Sequence, residues 1–208
     1  MISAALMPHL SAGTKQKAAI ATLARALTLA RFAGVGPFVW LLVRVYQGAP
    51  PSERAMLGCA YLFLALSDFF DGRLARRAGA ATADWARADV GADVFFNVCS
   101  LGAAAWLRLV GPWVPAGVAL LGGRFLARSV RDGGSDGDLP EDRLGKLAGV
   151  AYYALVGWIV AELVLGGILG RIAIARGGDA VFLYTLVAFW RGRERPMSSR
   201  RRRTKRST

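Results

Sequence analysis

The chain has 208 residues, of which 54% are hydrophobic, and a formal charge of +13. With a mean hydropathy of +0.37, this composition excludes an ordinary soluble domain that hides its apolar side chains in one core, and it points to an integral membrane protein. The charge is uneven: from Arg191 onward nine basic residues accompany the single acidic Glu194, a net +8.

The first segment, "MISAALMPHLSAGTKQKAAIATLARA", has no early basic region followed by an apolar core and a cleavage site, so it reads as retained. Within it, residues 15–26 are expected to form an amphipathic interfacial helix. Runs near the roughly 20 residues that cross a hydrocarbon core then follow at 27–46, 55–74, 90–110, 113–130, 147–169 and 172–190. The last is the weakest. Arg171, Arg176, Gly177, Gly178 and Asp179 crowd its start, so it begins either near Ile172 or only at Asp179.

The expected architecture is therefore all-α: a polytopic membrane protein of six transmembrane helices preceded by the interfacial helix. It divides into an N-terminal segment 1–26, a transmembrane domain 27–190 and a basic, disordered tail 191–208. Cys59 and Cys99 fall inside spans and read as small packing residues, with neither a disulfide nor a zinc site implied. Gly145/Gly149 and Gly166/Gly170 have the small-xxx-small spacing that favours close helix packing.

Lys and Arg near span ends are retained on the cytoplasmic side. Lys15 and Lys17, then Arg73, Arg76, Arg77 and Arg87, then Arg124, Arg128, Arg131, Arg143 and Lys146, and finally the tail, all fall on one face. That face is assigned to the cytoplasm, with both termini on it. The opposite loops, "QGAPPSE" and "VGPWVP", hold no Lys or Arg, while Arg54, Arg108, Arg171 and Arg176 near those ends run against the rule. The tail is read as attracted to anionic headgroups, with no nucleic-acid partner.

The unusual chemistry lies at residues 67–93, "SDFFDGRLARRAGAATADWARADVGAD". Read as helix, Asp68, Asp71, Gly72, Ala75 and Arg76 stand at i, i+3, i+4, i+7 and i+8, one continuous stripe. Trp85, Asp89 and Asp93 form a second stripe at steps of four. Two antiparallel helices with a short connection can turn these stripes toward each other. Four carboxylates converging at membrane depth repel one another and lose hydration, so they need compensating positive charge. An all-oxygen ligand set selects two hard divalent cations, Mg²⁺ or Mn²⁺, and such a pair suits in-line displacement at phosphorus. Small Gly72 and Ala75 let a ligand approach the backbone, and Arg76 offers a forked donor to phosphate. Asp84 and Arg87 read as an ordinary solvated pair.

This segment resembles the signature of the CDP-alcohol phosphatidyltransferases, D-x-x-D-G-x-x-A-R, eight residues, then G-x-x-x-D-x-x-x-D. Asp68, Asp71, Gly72, Ala75, Arg76, Asp89 and Asp93 match it at the right spacing, and Trp85 stands where the family has its second glycine. Outside the signature, "LTLAR" at 27–31 looks like the family's first-helix start, and Gly145-Lys146 like a Gly-Lys pair of phosphatidylglycerophosphate synthases.

The resemblance implies that Asp68, Asp71, Asp89 and Asp93 bind the metals and that Asp93 is also the general base. It further implies that Asp68, Gly72, Ala75 and Arg76 contact the CDP moiety, beside which Trp85 can stack on cytosine, and that the protein is a homodimer in the bacterial inner membrane. The reaction so implied is transfer of a phosphatidyl group from CDP-diacylglycerol to an alcohol, with release of CMP. Arg124 and Arg128, at i and i+4, together with Lys146, form a basic cluster suited to a phosphorylated acceptor such as glycerol 3-phosphate or inositol phosphate. Trp85 keeps open a catalytically silent CDP-lipid-binding relative. A transporter using the intramembrane carboxylates for ions or protons is the remaining alternative, and it gives no reason for Gly72, Ala75 and Arg76.

Overall fold

The computed structural model of the chain describes residues 7–78, 83–131, 143–167 and 170–191. Within these, it leaves out the side chains of 7–21, 23–25, 68–78, 83–86, 131, 143, 144 and 146. Among the described residues there are six helices and no strand. They are α1 (Met7–Tyr46), α2 (Pro51–Ala78), α3 (Ala83–Trp106), α4 (Trp113–Arg131), α5 (Arg143–Leu165) and α6 (Arg171–Arg191). Three contain segments long and apolar enough to cross a membrane: Ala26–Tyr46, Leu147–Leu165 and Arg171–Arg191. α1 runs without a break from Met7, so residues 15–26 belong to the same helix as the first apolar run.

The turns are short and each has a local cause. Between α1 and α2, Gly48 takes φ +95°, and Arg44 bridges to Glu53 at 2.9 Å across the turn. The Arg44 guanidinium holds the Glu53 carboxyl below the usual carboxylate range, chiefly through that hydrogen bond. α3 ends where Arg108 enters the left-handed region at φ 57° and the Leu109 N–H closes back on the Ala104 carbonyl at 2.9 Å, a helix stop that satisfies a terminal acceptor.

The sixth helix begins at Arg171, without waiting for Asp179. Buried Glu162, near the end of α5, accepts the Gly170 N–H with both carboxylate oxygens at 3.1 Å, which caps the first turn of α6. Asp179 lies inside the helix and accepts from the Trp113 indole at 3.0 Å. The two glycines that weakened the sequence signal are contact points. A Cβ at Gly177 would lie 3.1 Å from Trp158, and one at Gly178 would lie 3.2 Å from Val110.

Gly166 and Gly170 do not act as a small-xxx-small pair. Both have positive φ, 78° and 83°, and they shape the turn between α5 and α6. A Cβ at Gly149 would meet no atom within 4 Å. Cys59 and Cys99 are free thiols, Cys59 exposed and Cys99 half-buried.

α1 packs against both α2 and α3, α4 against α3 and α6, and α5 against α2, α3 and α6. Val35, Phe38, Leu42, Leu57, Leu64, Phe96, Leu101, Tyr152, Val156 and Ile159 are among the residues forming one buried apolar cluster at these contacts. Leu29, Trp40, Leu62, Phe63, Trp106, Leu120, Leu183 and Trp190 face outward, as side chains in contact with lipid do.

The α2–α5 contact has a specific device. The Tyr61 hydroxyl donates to the Tyr153 carbonyl at 2.8 Å. It can reach that carbonyl because residue 157, one turn on, is glycine: a Cβ there would lie 2.4 Å from the hydroxyl. Gly157→Val should therefore expel Tyr61, adding an overpacking cost of about 1–3 kcal/mol to the lost hydrogen bond. The expected result is a lower melting temperature in detergent, and an unchanged one would remove this contact from the account of α2–α5 packing.

Candidate active site

α3 carries Asp89 and Asp93, two of the three residues of the second stripe, on one side. Asp89 and Asp93 lie one turn apart and point to the same partner, Arg31 of α1. Arg31 Nη1 is 3.1 Å from Asp89 Oδ1 and 2.8 Å from Asp93 Oδ1. One guanidinium nitrogen carries two N–H bonds, and here it serves one carboxylate with each.

The Arg31 side chain is completely buried, whereas Asp89 and Asp93 keep 32% and 28% of their side chains exposed. The arginine thus forms the floor beneath two partly open carboxylates. Burying a guanidinium is costly unless it is paired, and this geometry supplies two counter-charges 58 and 62 residues away in sequence.

A second donor arrives from α5. The Tyr153 hydroxyl donates to Asp93 Oδ1 at 2.9 Å, and its ring stacks on Phe96 of α3 at 5.2 Å. Asn97, the next residue along the stripe, donates through Nδ2 to the Asp93 carbonyl at 2.8 Å.

Sequence reasoning placed neither Arg31 nor Tyr153 in the site. For Arg31 a signal existed, since a cation in the interior of an apolar run demands a partner. For Tyr153 there was none, because an aromatic residue in a span is ordinary packing.

Asp68, Asp71, Gly72, Ala75 and Arg76 lie on α2, and Trp85 in the first turn of α3. Their side chains, like that of Lys146 in α5, fall outside the described residues. Arg87 donates to the Ser129 hydroxyl and carbonyl at 3.1 and 3.0 Å, which ties α3 to the end of α4. The side chain of Asp84, its expected partner, lies outside the described residues.

Arg124 is half-buried. Its Nη1 donates to the Phe189 carbonyl, and its guanidinium lies 4.5 Å over the Phe189 ring. It thereby satisfies a terminal carbonyl of α6, as cations at helix C-termini do. Arg128, one turn on, is exposed.

Asp89 and Asp93 suit a hard divalent cation. They present oxygen donors only, are partly open, and converge closely enough for a single cationic nitrogen to touch both. Among the described residues no group of three or more His, Cys, Asp or Glu comes together; the side chains of Asp68 and Asp71, the other two signature aspartates, lie outside them.

The comparisons with known proteins bear on the same residues. The chain matches the CDP-alcohol phosphatidyltransferase family over residues 21–189. Over 98 residues it is 35% identical to a cardiolipin synthase (CMP-forming) of Streptomyces coelicolor, a stretch covering 46% of this chain and 44% of that relative. The chain thus aligns with less than half the length of this curated relative. The family match runs from α1 almost to the end of α6 and includes both acidic stripes, so the chain belongs to the CDP-alcohol phosphatidyltransferase family.

Proposed function

We propose that this protein is a membrane-embedded enzyme of phospholipid synthesis that transfers the phosphatidyl group of CDP-diacylglycerol to an alcohol and releases CMP. The observation that carries this reading is the convergence of Asp89 and Asp93 over Arg31, in a chain that retains the family's four signature aspartates.

In the step proposed, the acceptor hydroxyl oxygen bonds to the phosphorus that bears the diacylglycerol. The bond from that phosphorus to the bridging oxygen breaks, the electron pair leaves with CMP, and the hydroxyl proton passes to Asp93. Asp68, Asp71, Asp89 and Asp93 would hold two Mg²⁺ or Mn²⁺ ions, which would supply neutralising charge to the phosphate oxygens. Asp68, Gly72, Ala75 and Arg76 hold the CDP moiety, and Trp85 stacks on its base. The protein works as a homodimer with six membrane-crossing helices. Its active site and both termini face the cytoplasm, as the distribution of Lys and Arg supports.

For the acceptor, Arg124, Arg128 and Lys146 support a phosphorylated alcohol. The Streptomyces relative supports a second class. Its name gives cardiolipin as product and CMP as by-product, which requires an acceptor already carrying a phosphatidyl group. Purified protein should release CMP from CDP-diacylglycerol only when an acceptor is added, and a panel of glycerol 3-phosphate, inositol phosphate and phosphatidylglycerol identifies the class. Nucleotide binding without CMP release from any of them would leave the silent relative. Ion flux in liposomes without CMP release would leave the transporter.

Arg124→Ala separates two roles. If the arginine grips an acceptor phosphate, the KM for a phosphorylated acceptor rises at least about tenfold while that for CDP-diacylglycerol stays within about twofold. Equal changes in both, with a lowered melting temperature, would confine Arg124 to holding the end of α6.

A further inference from the structure

Asp93 is gripped at one oxygen by two helices. Oδ1 accepts Arg31 Nη1 at 2.8 Å and the Tyr153 hydroxyl at 2.9 Å. A carboxylate oxygen offers about two lone-pair directions, and both donors arrive from groups packed into the protein: the Arg31 side chain has no exposed surface, and the Tyr153 ring lies on buried Phe96. Oδ1 is therefore drawn inward and occupied.

From this geometry we infer that Tyr153 and Arg31 are positioning residues of the transfer step. They hold the Asp93 side chain by Oδ1, so that its carboxylate keeps one orientation as it takes the acceptor proton. This rests on the proposed role of Asp93. In balance, the hydroxyl O–H bond breaks as the new O–P bond forms, the proton ends on the Asp93 carboxylate, and CMP carries away the electron pair of the cleaved bond.

Each donor has a distinct task. Arg31 also holds Asp89 at 3.1 Å, so it fixes the two carboxylates relative to each other. Tyr153 touches Asp93 alone among the signature aspartates described, and it sets the rotation of that one carboxylate. The Tyr153 backbone is itself anchored, since its carbonyl accepts the Tyr61 hydroxyl. α2, α5 and α1 thus all bear on the orientation of a single side chain of α3.

The neighbouring Tyr152 provides the control. Its hydroxyl is also hydrogen-bonded, to Thr185 Oγ1 of α6 at 2.7 Å, and it is buried, but it reaches no signature residue. Tyr153→Phe keeps the ring and its stacking and removes only the donor to Asp93. Removing one donor to a charged acceptor is expected to lower kcat about 10- to 100-fold, with the KM for CDP-diacylglycerol within about twofold and the melting temperature near wild type. Tyr152→Phe should do the reverse, lowering the melting temperature and leaving kcat within about twofold.

Equal kcat in wild type and Tyr153→Phe would overturn the positioning role, as would a loss of kcat matched by Tyr152→Phe. Should Tyr153→Phe fail to fold, Arg31→Lys addresses the same oxygen from the other side. It keeps the charge but not the two-carboxylate reach, so a lower kcat at constant KM supports the inference and an unchanged kcat overturns it. Absence of CMP release by the wild-type protein across the whole acceptor panel is a separate outcome, which refutes the transferase reading and the positioning role with it.

Discussion

Asp93→Asn should reduce CMP release by about 10²- to 10⁴-fold, the usual contribution of a positioned general base, while binding of CDP-diacylglycerol falls only a few-fold. The substitution is close to isosteric, and an asparagine oxygen can still accept from Arg31 and Tyr153, whose donors lie 2.8 and 2.9 Å from the native Oδ1. The local geometry therefore has reason to persist. What disappears is the capacity to accept a proton, because an amide does not take one near neutral pH. Turnover near the wild-type level in this variant would remove Asp93 from the role of base, whatever the fate of the other aspartates.

Chelation should abolish transfer altogether, and Mg²⁺ or Mn²⁺ should restore it. Dependence on a divalent metal is general in this family, and Asp89 and Asp93 offer oxygen donors only, which disfavours zinc. Arg31 supplies one positive charge to Asp89 and Asp93, and the proposed ions would supply the charge that the signature aspartates and the diphosphate of the substrate call for. Full turnover in excess EDTA, with metal content measured below the protein concentration, would exclude the two-ion site. Asp68→Asn and Asp71→Asn should lose activity in parallel, and saturation by metal should shift to higher concentration.

Much of the helical architecture was legible from periodicity alone. The stripe from Asp89 to Asp93 faces one partner in the folded chain because residues four apart share a helix side, which needs no knowledge of neighbours. The apolar runs at 113–130 and 172–190 agree with α4 and α6 to within a residue at each end, since the length of a run is a local property. What the sequence hid was tertiary. The partners of Asp93 come from α1 and α5, 62 and 60 residues away, and no spacing rule reaches that far. The same holds for Arg124, whose place in a basic cluster gave no hint that Phe189 of α6 would take its guanidinium. Gly177 and Gly178 looked like a broken helix start, because in isolation glycine weakens a helix. Packed against Trp158 and Val110, they are what allows α6 to approach its neighbours. Gly166 and Gly170 went the other way, from presumed packing pair to turn, since spacing cannot distinguish a helix interior from the residues just beyond its end.

The buried Arg31 also bears on how the protein is made. The ribosome delivers α1 before α3 exists, so Arg31 meets Asp89 and Asp93 only after 58 and 62 further residues have been added. During that interval a cation near the start of the apolar segment Ala26–Tyr46 is costly to bury in lipid. The chemistry of the proposed site and the biogenesis of the chain are thereby linked: Asp89 and Asp93 are at once the candidate metal ligands and the counter-charges that α3 brings to the first helix.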